Sequence, residues 1–281
     1  MIVSRSINTI RTAAGKARKK SKRIGFVPTM GALHKGHLSL VKAARKECGF
    51  VTVSIFVNPI QFGPREDFRS YPRNFKKDEM LLEAEGVDLI FYPSISGMYD
   101  RDFSVYVEEI SLSRYLCGKS RPGHFRGVCT VVAKLFNIVQ PDIAYFGQKD
   151  YQQAQIIKRM VKDLNFSLKV KVMPIVREKD GLAMSSRNKY LSIKERKDAL
   201  CLYNSLMLAS KMVKGGICSS ATVVANMKKL IRNQAPYARI DYINIVNPGT
   251  LEEVKKIKGK VLAALAVYIG KTRLIDNMLL R

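Results

Sequence analysis

Apolar, strand-like runs alternate with amphipathic helical patterns from residue 24 to about residue 175, and this alternation constrains the fold more than any other feature. The run FVTVSIFVNP (50–59) is mostly apolar and places apolar residues on both faces, which is typical of a strand that is covered on both faces. Strands and helices in alternation predict a parallel sheet with crossover helices. We therefore expect an α/β fold with a Rossmann-like domain over residues 1–175.

Residues 176–281 follow a different order. Helical patterns come first and adjacent strand-like runs follow, with Gly270 and Lys271 between the last two runs as in a hairpin. Helices followed by neighbouring strands are typical of an α+β unit. A chain of 281 residues is long enough for two domains. We expect a smaller α+β domain over residues 176–281 that acts as a lid.

The amino-terminal segment, the apolar runs and the cysteines bear on the cellular location of the chain. The first 23 residues contain no acidic residue and resemble a transit peptide, but a strand from Ile24 favours a helix packed beside that strand. The apolar run at 261–269 is shorter than the roughly 20 residues that span a bilayer. The five cysteines are scattered, which predicts reduced thiols, a cytoplasmic location and no zinc or disulfide framework.

The formal net charge is +26, from 49 Lys and Arg against 23 Asp and Glu. Such a charge first suggests a surface for nucleic acid or for an anionic membrane. The basic residues are spread along the chain, however, and the dense cluster KARKKSKR (16–23) is short and has no interleaved aromatic residues. We therefore predict a generally basic surface with anionic small-molecule substrates, and neither a specific nucleic acid nor a membrane as partner.

The segment PTMGALHKGH (28–37) holds two of the three histidines, where a predicted strand passes into a predicted helix. Ligands of open α/β sheets lie beyond the carboxyl ends of the strands, and the amino terminus of a helix there attracts anions. Gly31 and Gly36 allow a tight turn. His34 and His37 could merely hydrogen-bond within this loop, but a histidine pair in a polar, glycine-rich turn favours donors that face a phosphate.

The HKGH segment resembles the His-x-Gly-His signature of the nucleotidyltransferase superfamily that includes class I aminoacyl-tRNA synthetases. MSSRN (184–188) lies where these enzymes carry a mobile Lys-Met-Ser-Lys-Ser loop. Further blocks are similar to the pantoate–β-alanine ligase family across nearly the whole chain: FVNPIQF (56–62), EDFRSYPR (66–73), RPGHFRGV (121–128) and FGQKDYQQ (146–153).

This resemblance implies a reaction in two steps. The carboxylate of pantoate attacks the α-phosphorus of ATP to give pantoyl adenylate and pyrophosphate, and the amine of β-alanine then displaces AMP to give pantothenate. A carboxylate is already ionised at neutral pH, so the first step needs alignment and charge neutralisation more than a protein nucleophile. The resemblance also implies a homodimer and Mg²⁺ held through the triphosphate, with no dedicated metal ligands in the protein.

The resemblance assigns site residues as well. Those implied to bind ATP are Met30, Gly31, His34, Gly36, His37, Gly147, Lys149, Asp150, Val176, Met184, Ser185, Ser186 and Arg187. Those implied to bind pantoate or β-alanine are Asn58, Gln61, Tyr71, Arg121, His124 and Gln153. Those implied to act in catalysis are His34, His37, Lys149, Ser185 and Arg187, with His37 as proton donor.

Two alternatives remain open. Another nucleotidyltransferase of the same superfamily would use a phosphorylated acceptor, which needs Lys or Arg where Gln61 and Gln153 stand; this uncharged pair favours a hydroxy acid. A nucleic-acid-binding protein is suggested by the charge alone. A dinucleotide-dependent oxidoreductase is disfavoured because no Gly-x-Gly-x-x-Gly follows the first predicted strand.

Overall fold

The computed structural model describes residues 1–64 and 66–281 and divides the chain into two compact units. The first unit comprises Met1–Ile110, Arg121–Gln148 and Gln153–Pro174. The second comprises Ser111–Ser120, Lys149–Gln152 and Ile175–Arg281. The domain boundary at residue 175 stays a prediction.

The secondary structure follows the alternation of the sequence. The strands are β1 (Ile2–Ser4), β2 (Ile24–Thr29), β3 (Phe50–Ile55), β4 (Leu89–Phe91), β5 (Ile143–Gly147), β6 (Lys169–Met173), β7 (Arg239–Val246), β8 (Val261–Ile269) and β9 (Thr272–Leu280). The helices are α1 (Ile7–Lys19), α2 (Lys35–Glu47), α3 (Phe75–Ala84), α4 (Ile95–Met98), α5 (Leu116–Ser120), α6 (His124–Val139), α7 (Tyr151–Asp163), α8 (Ile193–Asp198), α9 (Leu200–Lys214) and α10 (Ser220–Gln234). Short 3-10 turns lie at Pro59–Gln61, Leu112–Arg114, Gln148–Asp150 and Ser186–Tyr190.

The first unit is built on a parallel sheet with strand order β1-β4-β3-β2-β5-β6. The predicted α/β fold with a parallel sheet is confirmed. From β2 the chain winds through β3 to β4 on one side, whereas β5 and β6 lie on the other side. This reversal makes the carboxyl ends of β2 and β5 a topological switch point, which is where ligands bind in such sheets.

The amino terminus differs from the prediction. A strand, β1, precedes the predicted helix and pairs with β4 in the register Ile2 with Leu89, so the strand that begins at Ile24 is the second one. A strand of three residues is too short to show a period in the sequence, and only its partner strand stabilises it. The basic segment that follows does form a helix, α1, whose Ile10, Ala14 and Ala17 are buried.

Helix α6 of the first unit is the most apolar helix pattern in the sequence, and most of its residues are buried. Within the described ranges, 1–64 and 66–281, no helix is long and apolar enough to cross a membrane. On the sheet itself, residues such as Val27, Val53 and Ile90 form one core with Val41 and Ala44 of α2. This core anchors both ends of the loop that connects β2 to α2.

The second unit contains the antiparallel sheet β7-β8-β9, with α9 and α10 packed on it. The predicted hairpin at Gly270 and Lys271 is present, since Ile269 pairs with Thr272. The helical pattern over residues 192–216 predicts a single helix, and this prediction is wrong, because the segment forms two helices, α8 and α9. Buried Ala199 separates them, and the Leu202 N–H donates to the Ala199 carbonyl three residues back, a tighter bond than an α-helix makes.

Replacing Leu265 by Ala tests the core of the second unit. Leu265 lies in the central strand β8 with no exposed surface, so its truncation leaves a cavity and should cost about 2–5 kcal/mol of unfolding free energy. Urea titration followed by circular dichroism measures this loss. The matched control is Ile193→Ala, because Ile193 is 83% exposed and its truncation should change stability by less than about 0.5 kcal/mol. Equal effects of the two substitutions would contradict the packing described here.

Candidate active site

The turn from β2 to α2 brings the two predicted histidines together. His34 caps the amino terminus of α2, and its Nδ1 accepts a hydrogen bond from the Gly36 N–H at 3.1 Å. The centroids of the His34 and His37 rings are 4.1 Å apart. Because a backbone N–H only donates, Nδ1 of His34 carries no proton, and the proton of the neutral ring lies on Nε2. The pair therefore offers ring N–H donors beside a helix amino terminus, as a phosphate requires.

A buried carboxylate holds this turn, and the sequence patterns did not identify it. Gly31 and Ala32 both have positive φ angles, 80° and 52°. The carboxylate of Asp78, on the first turn of α3, accepts from the N–H groups of Ala32 and Leu33, each at 2.8 Å. A Cβ at Gly31 would lie 2.9 Å from Oδ2 of Asp78, so only glycine fits there. The available signal was an acidic residue on the otherwise core-facing side of a predicted helix.

Three predicted residues, Met30, Asn58 and Gln61, lie together after the ends of β2 and β3. Strand β3 ends at Ile55, earlier than the apolar run suggests, and the 3-10 turn Pro59–Gln61 follows. Nδ2 of Asn58 donates to Oε1 of Gln61 at 3.0 Å, and Nε2 of Gln61 lies 3.1 Å from the sulfur of Met30. Asn58 and Gln61 are both buried. Such an amide pair has a fixed geometry and suits the recognition of a small polar molecule.

Arg121 and His124 support the backbone of Gln61. Arg121 makes a two-point ion pair with Glu66, at 2.5 and 2.7 Å, and its third nitrogen lies 2.9 Å from Nε2 of His124. Nδ1 of His124 lies 2.8 Å from the carbonyl of Gln61 and donates to it. Burial alone would raise the pKa of Glu66, but the hydrogen bonds and charge of Arg121 lower it to about 2. Glu66 was not predicted as a site residue, and binding of substrate by Arg121 and His124 stays a prediction.

The remaining predicted residues of the first unit are Gly36, Tyr71, Gly147 and Gln153. Gly36 lies in the first turn of α2, and its N–H bonds His34. Tyr71 is buried, with its ring 6.0 Å from that of Phe62 in an edge-on contact. Gly147 ends β5, and half-buried Gln153 lies in the first turn of α7. The substrate contacts expected of Tyr71 and Gln153 stay predictions.

In the second unit, the loop that contains MSSRN folds back on itself. The Met184 N–H donates to the carbonyl of Val176 at 3.0 Å, which joins two residues that are predicted to bind ATP. Oγ of Ser185 accepts from the Arg187 N–H at 3.2 Å and so caps the 3-10 turn that begins at buried Ser186. The loop therefore presents these residues from one compact turn.

An ion pair and a hydrogen bond that the sequence did not indicate stabilise this part of the second unit. Arg177 makes a two-point ion pair with buried Asp276 of β9, at 2.6 and 2.9 Å. Asn277 donates through Nδ2 to the carbonyl of Lys149 at 2.9 Å. As a result Lys149 and Ser185 line one small cavity together with Asp276. Nζ of Lys149 lies 4.0 Å from the half-exposed carboxylate of Asp150.

Carboxylates and histidines do not gather into a metal-binding cluster in the part of the chain that the structure describes: no three His, Cys, Asp or Glu side chains there are grouped to hold an ion. Lys149, which is predicted to bind ATP, lies beside the carboxylate of Asp150. A Mg²⁺ ion here would therefore take its oxygen ligands mainly from substrate phosphates and water, which is its usual mode of binding.

Comparison with known proteins gives one consistent result. The family model described as pantoate-beta-alanine ligase matches residues 2–279. A pantothenate synthetase from Thermosipho melanesiensis is 55% identical over 279 residues, covering 99% of each chain. The crystal structure of pantothenate synthetase from Thermus thermophilus superposes with a TM-score of 0.94 at 44% identity, covering 99% of each chain. The crystal structure of pantoate-beta-alanine ligase from Francisella tularensis, complexed with beta-gamma ATP and beta-alanine, superposes with a TM-score of 0.82 at 37% identity. The match covers 99% of this chain and 97% of that one.

The substitution Asp78→Asn tests the support of the histidine turn. An asparagine amide keeps the shape of the side chain but replaces one accepting oxygen with an NH2 donor. This donor would face a backbone N–H, which should lower the free energy of unfolding by about 1–3 kcal/mol. We expect the KM for ATP to rise as well, because the His34 turn loosens. Denaturant titration and initial-rate kinetics measure the two effects. The control is Asp102→Asn, an exposed carboxylate of the same unit, which should change neither quantity.

The Glu66–Arg121 pair predicts a pH-dependent stability. The pKa of Glu66 falls from its ordinary 4.5 to about 2 on folding, so the pair stabilises the protein fully above pH 4.5, and this contribution is lost as the pH falls towards 2. Glu66→Gln should therefore destabilise the chain by about 1–3 kcal/mol at pH 7 and by less at pH 3. Urea titrations at both pH values measure this. A cost that is equal at both, or one matched by exposed Glu83→Gln, would contradict the assignment.

Proposed function

Because the chain belongs to the pantoate–β-alanine ligase family, whose reaction condenses pantoate with β-alanine at the expense of ATP, we propose that it does so in two steps through pantoyl adenylate. The observation that supports this most directly is the His34–His37 pair at the start of α2, which lies at the switch point of a parallel sheet. That arrangement suits an ATP-dependent adenylation, in which charge develops on phosphate oxygens.

In the first step, we propose that the turn from Met30 to His37 binds the phosphates of ATP. The pantoate carboxylate attacks the α-phosphorus, and the bond from that phosphorus to the bridging oxygen of pyrophosphate breaks. His37 donates a proton to the leaving pyrophosphate, and the Nε2 proton of His34 adds a second donor. Gly31 and Gly36 allow the backbone to approach the nucleotide closely.

Further residues would supply the remaining contacts to ATP. We assign Lys149 to the α-phosphate, Asp150 to the ribose, and the backbones of Val176 and Met184 to the adenine. The compact turn of Ser185, Ser186 and Arg187 would bind the pyrophosphate oxygens; the guanidinium of Arg187 suits them because it presents several N–H donors in one plane. Gly147 leaves room beside the nucleotide. These groups favour the transition state because the charge on the phosphates increases there.

In the second step, the β-alanine amine attacks the acyl carbon of pantoyl adenylate and AMP leaves. We assign the hydroxyl and carboxylate groups of pantoate to Gln61 and Gln153, with Asn58, Tyr71, Arg121 and His124 around them, and place the β-alanine site next to Gln61. Neutral amides bind hydroxyl and carboxylate oxygens by hydrogen bonds, whereas a phosphorylated acceptor would need positive charge at these positions. This difference favours a hydroxy acid over the phosphorylated acceptor of other nucleotidyltransferases.

The proposal extends to the ion and the assembly. Mg²⁺ bound through the triphosphate would neutralise its charge. We further propose a homodimer that works in the cytoplasm, without a specific nucleic-acid partner. The +26 charge then raises the local concentration of anionic pantoate and ATP, an effect that should weaken with ionic strength.

The decisive experiment measures pyrophosphate release from ATP and Mg²⁺. We expect release that depends on pantoate and that turns over only when β-alanine is added. His37→Ala and Gln61→Ala should each lower kcat/KM by about two orders of magnitude, the usual loss when a transition-state donor is removed. Gln234→Ala is the matched control, because Gln234 is exposed and pairs with Asn204 of the neighbouring helix.

Two results would contradict the proposal. Release with a phosphorylated acceptor but not with pantoate would keep the nucleotidyltransferase chemistry and reject the substrate. Tight nucleic-acid binding that weakens steeply with salt, in a protein without pantoate-dependent release, would favour the binding-protein alternative.

A further inference from the structure

The orientation of the Asn58 side-chain amide is set by a backbone carbonyl. One amide atom of Asn58 lies 3.1 Å from the carbonyl oxygen of Gly127 in α6. A carbonyl oxygen only accepts, so the atom that faces it must be the NH2 group. The other amide atom of Asn58 is therefore its oxygen. This assignment rests on the chemistry of the partner and not on the similar shapes of the two amide atoms.

The polarity of Gln61 follows from that of Asn58. The second N–H of the Asn58 NH2 group donates to the side-chain oxygen of Gln61 at 3.0 Å. The NH2 group of Gln61 then faces the other way, 3.1 Å from the sulfur of Met30. A thioether is a weak acceptor, which a substrate oxygen can replace. Gln61 therefore offers a donor, and its acceptor is occupied by the protein.

One contact remains on Asn58, and Tyr99 supplies it. The Tyr99 hydroxyl lies 2.7 Å from the Asn58 oxygen and must donate to it. The centroid of the Tyr99 ring lies 4.8 Å from that of Phe103, in an edge-on contact. Nζ of Lys134 lies 5.4 Å from the same Tyr99 centroid. Burial, together with the nearby Tyr106, raises the pKa of Tyr99 well above its ordinary value, so this hydroxyl remains protonated.

We propose that Tyr99 is a positioning residue for substrate recognition: its hydroxyl, acting through Asn58, keeps the Gln61 amide with its NH2 group towards the bound hydroxy acid. This inference rests on the proposed function and deepens it. The site then selects a substrate oxygen that accepts a hydrogen bond, such as a carboxylate, over a group that donates.

The close contact between α6 and the 3-10 turn makes this arrangement possible. A Cβ at Gly127 would lie 2.3 Å from the carbonyl oxygen of Ile60 and 2.7 Å from the Cα of Gln61. Any side chain at Gly127 would push the helix away from the turn and remove its carbonyl from Asn58. Glycine is thus required so that the backbone can set the amide polarity.

The test is Tyr99→Phe, which removes the hydroxyl and keeps the ring. The Asn58 oxygen would then be buried without its donor, so the Gly127 carbonyl alone would hold the Asn58 amide and, through it, the Gln61 amide. We expect the KM for pantoate to rise about tenfold, because the loss of one buried hydrogen bond corresponds to about a tenfold change in affinity. The kcat and the KM for ATP should change less than about twofold. Tyr106→Phe is the matched control, because Tyr106 is a more exposed tyrosine of the same unit and should leave all constants unchanged.

A double-mutant cycle separates positioning from a general structural role. In a Gln61→Ala background, Tyr99→Phe should change the pantoate KM less than about twofold, because the group it positions is gone. Asn58→Asp is a second variant that places an oxygen against the Gly127 carbonyl, and it should raise the pantoate KM at least as much as Tyr99→Phe.

Several results would overturn the inference. They are an unchanged pantoate KM in Tyr99→Phe, an equal rise in the KM for ATP, and the same tenfold effect with Gln61 already removed. Pantoate-dependent release by the unsubstituted protein tests the proposed function separately, so failure of one hypothesis can be told from failure of the other.

Discussion

Two hydrogen bonds to the buried carboxylate of Asp78 are the constraint on which the rest of the site depends. The turn after β2 places a non-glycine residue, Ala32, at a positive φ angle, a conformation that costs about 1–2 kcal/mol for an L-residue. Asp78 compensates by accepting the N–H groups of Ala32 and Leu33. Without it, the turn that carries His34 and His37 into α2 would lose this support.

A second constraint is the direction of hydrogen bonding. Around the predicted pantoate site the protein's own donors bond the acceptors of Gln61, and the Gln61 NH2 group lies beside the weakly accepting sulfur of Met30. His124 donates to the Gln61 carbonyl, and Asn58 donates to the Gln61 side chain. In the proposed complex these donors would face an anionic substrate, although the amides themselves carry no charge. A basic surface can therefore attract anions generally, whereas the site distinguishes among them by geometry.

Much of this could be predicted from the sequence. The parallel sheet, the hairpin at Gly270 and the histidine turn follow from local periodicity and turn chemistry. The failures have physical causes. β1 is too short to show a period, and α8 and α9 are separated by packing at Ala199 rather than by a helix-breaking residue. Asp78 resembled an ordinary helix residue, because its partners are 45 and 46 positions away.

Local sequence patterns were enough to predict the alternation of strands and helices from Ile24 onward, the fold class, and the motif blocks that carry the resemblance to a ligase family. These depend on neighbouring residues and on residue types at fixed spacing. Which groups donate and which accept at the site follows only from tertiary contacts. The sequence does not show which way the side-chain amides of Asn58 and Gln61 face. The Gly127 carbonyl, 69 residues away from Asn58, sets that orientation. Hydrogen-bond direction depends on such distant partners, so local sequence patterns do not contain it.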